Sequence, residues 1–92
     1  MPLNTNTGFL HRSNINLLNG KIAYLISQEE VIVKRKVLLK VTYGFESDKL
    51  LNSTKAIKRM LALRNNQRRV RLVYCGFDFD RELDTATYFI GG

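Results

Sequence analysis

The chain has one cysteine, one histidine, few acidic side chains and no long apolar run, and each shortage removes a class of protein. A lone Cys75 excludes an intramolecular disulfide and any zinc site built on several cysteines. It fits a reducing compartment. His11 is the only histidine and sits in an asparagine-rich stretch, so a histidine-based triad or acid–base pair has no evident setting. No apolar run approaches the roughly 20 residues of a membrane span. The N-terminus also lacks a charged segment followed by a continuous apolar stretch. These absences lead to the expectation of a soluble, cytoplasmic protein that is not an enzyme, needs no cofactor or metal, and has no membrane partner.

What is present is one small domain's worth of chain. Its 92 residues are 45% apolar and 25% charged, ordinary values for a folded domain. Residues 1–20 stand apart: Asn4, Asn6, Asn14, Asn16 and Asn19 with Thr5, Thr7, Gly8 and Gly20 are residues of turns and loops. They read as an N-terminal arm, with a single α+β domain over residues 21–92. Phe9, Leu10, Ile15, Leu17 and Leu18 could pin parts of the arm to the core, or the arm could order on binding.

Charge is unevenly placed. Fifteen Lys and Arg against eight Asp and Glu give +7. Residues 1–33 cancel. Residues 34–71 carry twelve basic side chains against Glu46 and Asp48, a block of +10. The remainder reverses sign, with Asp78, Asp80, Glu82 and Asp84 against Arg81. A molecule polarised in this way attracts polyanions, acidic proteins or a second copy of itself.

Hydrophobic periodicity predicts the order β-β-α-β-β, with one helix packed on a mixed sheet. Lys21 to Ser27 is rich in β-formers, and Gln28, Glu29 and Glu30 then supply a polar break. From Val31 to Tyr43, Val33, Val37, Leu39, Val41 and Tyr43 take one parity, and Lys34, Lys36, Lys40 and Thr42 the other. Arg35 breaks the pattern and implies a bend or bulge near 34–36, so this run could be two strands. Gly44 ends it. Ser47 is a candidate N-cap, with Ser53 a second candidate start, for a helix reaching Arg64. Its inward face would carry Leu50, Ile57 and Leu61, and Asn65 and Asn66 would stop it. Arg68 to Cys75 alternates again, with Val70, Leu72 and Tyr74 opposite Arg69, Arg71, Val73 and Cys75. Gly76 interrupts this strand, and Thr85 to Ile90 forms the last.

The segment RLVYCGFDFDRELDTATYFI, Arg71 to Ile90, resembles the third strand and following loops of ubiquitin-like β-grasp domains. The helix before it and the basic alternating strand from Lys36 to Val41 come in similar order, and the sequence given closes on Gly91-Gly92. The resemblance covers residues 36–92. It implies a β-grasp-like fold and either a protein-interaction module or a diglycine modifier joined to amines. Against the modifier, Gly91 follows Phe89-Ile90 directly, where that family carries a flexible tail. The resemblance also implies that a basic patch at Lys34-Arg35-Lys36 could meet the Asp78 to Asp84 loop of a second copy.

The candidate binding residues are Lys34, Arg35, Lys36, Lys40, Lys55, Lys58, Arg59, Arg68, Arg69 and Arg71. So many uncompensated cations destabilise a small fold through self-repulsion and point to an anionic partner. Phosphates would be bound with release of counterions, largely without regard to base sequence. No ribonucleoprotein signature is present, and Tyr24, Tyr43 and Phe45 are expected in the core, so base-specific reading has no support. The carboxylates from Asp78 to Asp84 have the alternate spacing of a cation loop. Leu83 and Phe89 occupy the places of its glycine and distal carboxylate, which leaves a solvated acidic turn. Cys75 is expected as a small buried hydrophobe. The expected partner is therefore a nucleic acid, with an acidic protein, or the acidic loop of another copy, as the alternative.

Overall fold

Two stretches of strict alternation build the centre of the sheet, and a third, shifted by one inserted residue, builds its edge. In the computed structural model, which describes residues 14–17, 20–47, 52–66 and 69–91, the strands are β1 (Ile15–Asn16), β2 (Ile22–Val33), β3 (Lys36–Phe45), β4 (Val70–Asp78) and β5 (Leu83–Ile90), with one helix, α1 (Ser53–Arg64), between β3 and β4. The five strands lie in the order β1-β2-β3-β5-β4. Each pairing is antiparallel. Because β3 and β4 are both antiparallel to β5, they run in the same direction with β5 inserted between them, a split β-α-β unit. The result is a small α+β domain with one helix on a five-stranded sheet, consistent with a generic β-grasp-like architecture.

The core lies between α1 and one face of the sheet. Leu39, Val41, Tyr43 and Phe45 of β3, and Ala86, Tyr88 and Ile90 of β5, are buried there against Ile57 and Leu61 of the helix. The helix is anchored through its first turn, where the Tyr88 hydroxyl donates to the Thr54 carbonyl at 2.8 Å. The even residues of β3 face the other way, as period two requires. On that open face Thr42 and Thr87 share a hydroxyl hydrogen bond of 2.9 Å. The expected arm also contributes to the core. Ile15 is fully buried opposite Ala23, the Asn14 side chain accepts from the Leu25 amide, and Arg64 donates to the Asn14 carbonyl.

Several sequence-based boundaries are corrected. The polar residues Gln28 to Glu30 do not break the first strand, because β2 there pairs on through Lys40 and Leu39. The reversal comes at Lys34-Arg35, a two-residue turn with both φ angles positive, 51° and 66°. That is the type I′ geometry that suits the twist of a hairpin. Gly44 lies inside β3 rather than ending it. The helix begins at Ser53 with Asn52 as its cap, the Asn52 side chain accepting from the Lys55 amide. Ser47 instead donates its hydroxyl to Asp84. Asn65 and Asn66 end the helix as expected, Asn65 bonding back to Leu61 through both its amide and its side chain. Leu50, Phe9, Leu10, Leu18 and His11 lie outside the described residues.

β4 departs furthest from expectation. Leu72 stands opposite Tyr88 and Tyr74 opposite Thr87, so Val73 is an extra residue, a β-bulge. The insertion inverts the parity. Val70 and Leu72 share the helix-side face with Cys75 and Phe77, whereas Arg71 shares the open face with Tyr74, Gly76 and Asp78. Tyr74 is thus not with Val70 and Leu72, and Cys75 is not with Arg71. Gly76 does not interrupt the strand, which runs to Asp78. Cys75 is exposed, not buried, because nothing among the described residues covers the outer edge of β4.

Candidate polyanion-binding site

The candidate cations fall on two sides of the sheet. Lys55, Lys58 and Arg59 project from the outer side of α1 and line a shallow surface with Ala62 and Val70 on the helix side. Lys34, Lys36, Arg69 and Arg71 meet at one end of the open face, around a depression of about 230 Å³ whose floor is Val33, Leu38, Phe89 and Gly91. Lys40 stands beside this group, flanked across the strands by Glu29 and Phe89. Arg35 occupies the tip of the turn, exposed. Arg68 lies outside the described residues.

The register explains why the depression exists. β5 reaches only Ile90, which stands opposite Leu39 of β3 and Val70 of β4. Lys36, Val37 and Leu38 therefore extend past the end of β5, and a gap opens between the β2–β3 hairpin and the start of β4. Gly91 crosses the bottom of the gap, held to β4 by its amide donating to the Arg69 carbonyl at 2.9 Å. It brings no side chain to fill the space. Phe89 lines the depression because it stands directly between Lys40 and Arg71 on the open face.

Electrostatically the rim is one-signed. Among the described residues, ion pairs join Lys21 to Glu46 at 3.1 Å and Arg81 to Asp78 at 2.7 Å. No carboxylate lines the depression. Repulsion between the four rim cations is therefore left for solvent or a bound anion to relieve. At about 230 Å³ the space is smaller than the roughly 300–1,000 Å³ typical of enclosed small-molecule pockets. It matches an open cradle for a few charged atoms of a longer molecule.

The acidic segment behaves as a turn. Asp78 accepts from the Arg81 backbone amide at 3.1 Å and from its guanidinium, and these hydrogen bonds hold its carboxyl below the usual range. Among the described residues no group of three or more His, Cys, Asp or Glu is placed to hold a metal ion. Tyr43 is core, as expected, and burial pushes its hydroxyl up to about 12 against a smaller opposing effect of Arg64. Tyr88 is raised for the same reason. Phe45 is also buried, whereas Tyr24 is exposed on the open face.

Sequence reasoning found the four rim cations but missed Leu38, Phe89 and Gly91. The parity of Lys36, Leu38 and Lys40 was legible. The facing of Phe89 depended on which strands β5 joins. Comparison with protein-family models, with curated proteins and with solved structures finds no match to this chain. No helix among the described residues is long and apolar enough to cross a membrane.

Proposed function

We propose that the protein is a non-enzymatic binding module that holds the phosphate backbone of a nucleic acid in the depression at the open end of its sheet. The observation that carries this reading is the convergence of Lys34 and Lys36 from the hairpin with Arg69 and Arg71 from β4 around an acid-free hollow. The hairpin turn adds to it. Left-handed backbone costs a non-glycine residue about 1–2 kcal/mol, and two successive residues adopt it at the turn whose first residue, Lys34, lines the hollow. Such local strain gathers at functional sites. Phe89 on the wall and Tyr74 on the same face offer apolar surface for sugar or base, without a donor and acceptor pattern that would select sequence. The ubiquitin-like alternative draws less support, since Gly91 is tied to β4.

The test is fluorescence anisotropy of labelled single-stranded and duplex RNA and DNA across a salt series. With four phosphate contacts the slope of log K against log salt on single strands should be about −2.8, from about 0.7 per contact. Lys34→Ala with Lys36→Ala should flatten it by about 1.4. The triple change of Lys55, Lys58 and Arg59 to Ala should leave it unchanged. If the helix variant loses binding and the hairpin variant does not, the site is misplaced. If the wild type binds no nucleic acid near physiological salt, the proposal fails and an acidic protein becomes the partner to seek.

A further inference from the structure

The two edges of the sheet are unlike. β1 is two residues long and pairs only with Ile22 and Ala23, and β2 beyond it is unpaired on that side among the described residues but carries Glu29 and Glu30, charges of the kind that guard an edge. β4 is nine residues long and contains neither lysine nor proline, the residues that commonly guard an edge. Among the described residues no strand pairs with its outer side. Its apolar side chains are open to solvent, Leu72 at 37%, Val73 at 40%, Tyr74 at 65% and Phe77 at 46%. An edge this long and this apolar is a docking surface for a further strand.

We infer that the strand it takes is β4 of a second copy, paired antiparallel about a two-fold axis at Cys75. Directly opposed residues share a face, so a two-fold self-pairing must place some residue opposite itself. With Cys75 at that place, Tyr74 opposes Gly76 of the second copy. Beyond the bulge residue Val73, Leu72 opposes Phe77 and Arg71 opposes Asp78. The bulge is what makes this work. Seven positions separate Arg71 from Asp78, which would put them on opposite faces of a regular strand, but the inversion at Val73 puts both on the open face. Leu72 and Phe77 likewise share the helix-side face. In this register Arg71 meets Asp78 and Leu72 meets Phe77, and both pairs occur twice by symmetry. Asp78 keeps its bond to Arg81, since a carboxylate has acceptor sites for both guanidinium groups. Register slips by one residue would oppose residues of different faces and lose these pairs.

The axis is perpendicular to the sheet, so the dimer is a ten-stranded sheet with both helices on one side and both open faces on the other. The two basic depressions then lie on a common surface. Self-pairing engages Arg71 of each rim with Asp78 of the other copy and leaves Lys34, Lys36 and Arg69 of each depression to a bound anion.

The experiment is sedimentation equilibrium from low to high micromolar concentration, together with oxidative cross-linking of the wild type by copper-phenanthroline. A concentration-dependent dimer is expected. Opposed Cα atoms in an antiparallel pair are about 4.5–5.5 Å apart, within the roughly 4.4–6.8 Å of a disulfide. Two Cys75 thiols should therefore yield an interchain disulfide, giving two electrons to the oxidant and two protons to solvent, and Cys75→Ser should abolish it. Arg71→Asp and Asp78→Arg should each weaken the dimer by about tenfold, and the two together should restore it. A monomer at every concentration overturns the inference and leaves the edge to a strand from a different protein. A dimer that gives no Cys75 disulfide, or that the double exchange does not restore, overturns the register. Neither result bears on the salt slope of the hairpin variant, so the two proposals fail separately.

Discussion

Gly44 offers a perturbation whose sign depends on a single atom. A Cβ at this position, the penultimate residue of β3, would lie 2.7 Å from Cδ1 of Ile26 and 3.1 Å from Cδ1 of Leu83. Replacing glycine by alanine in an extended strand gains about 0.4–1 kcal/mol by restricting the unfolded chain, whereas overpacking costs about 1–3 kcal/mol. The obstructing atom is the end of a flexible, half-buried side chain, which places the cost in the lower part of that range. With the gain offsetting part of the clash, Gly44→Ala should destabilise by about 0.5 kcal/mol. Ile26→Val removes the atom at 2.7 Å and leaves Cγ1, at an ordinary 3.4 Å, for a loss of about 0.5 kcal/mol. In that background Gly44→Ala should be neutral or slightly stabilising, a coupling of about 1 kcal/mol. Urea denaturation of the four proteins, followed by far-ultraviolet circular dichroism, closes the cycle. If Gly44→Ala costs the same in both backgrounds, the glycine is required by the backbone and the reasoning from Ile26 is wrong.

Leu61 is fully buried and Leu63, two residues on, is 56% exposed; Leu61→Ala should cost about 3–4 kcal/mol and Leu63→Ala less than about 0.5, a contrast that equal urea midpoints would contradict. Asn52→Ala should cost about 1 kcal/mol by removing the acceptor for the Lys55 amide and the Thr54 hydroxyl, and an unchanged melting temperature would show that the helix start is held otherwise. Exchanging Lys34→Asn and Arg35→Gly, residues at ease with positive φ, should stabilise the hairpin by about 1 kcal/mol or more while weakening polyanion binding; a gain in both would separate the turn from the site. Tyr43 in the unfolded chain loses its proton near pH 10 but in the fold holds it to about 12. Stability should therefore be intact below pH 10 and fall by up to about 3 kcal/mol as pH rises towards 12. Tyr43→Phe should remove its share of that fall and leave the part due to Tyr88 in denaturation curves taken between pH 9 and 11.5.

The sequence by itself determined the elements that rest on local periodicity. Alternation through Leu39, Val41 and Tyr43 specified which face of β3 is buried, and the spacing of Ile57 and Leu61 specified the inward side of the helix. Composition specified that cations gather between residues 34 and 71 and acids beyond them. What it did not contain was pairing. A two-residue turn at Lys34-Arg35 has none of the usual glycine or asparagine, and the reversal appears only in the pairing of β2 with β3. The bulge at Val73 leaves no local signature, because Val70 to Tyr74 alternates as a regular strand would, and only the match of β4 to β5 reveals the extra residue. Tertiary structure therefore decided that Cys75 is exposed and that Arg71 and Asp78 share a face. It also decided that β5 enters between β3 and β4 and stops at Ile90. The depression exists for that reason: strand lengths and neighbours are set by which long-range pairings bury the most apolar surface, and a linear pattern of residues does not record them.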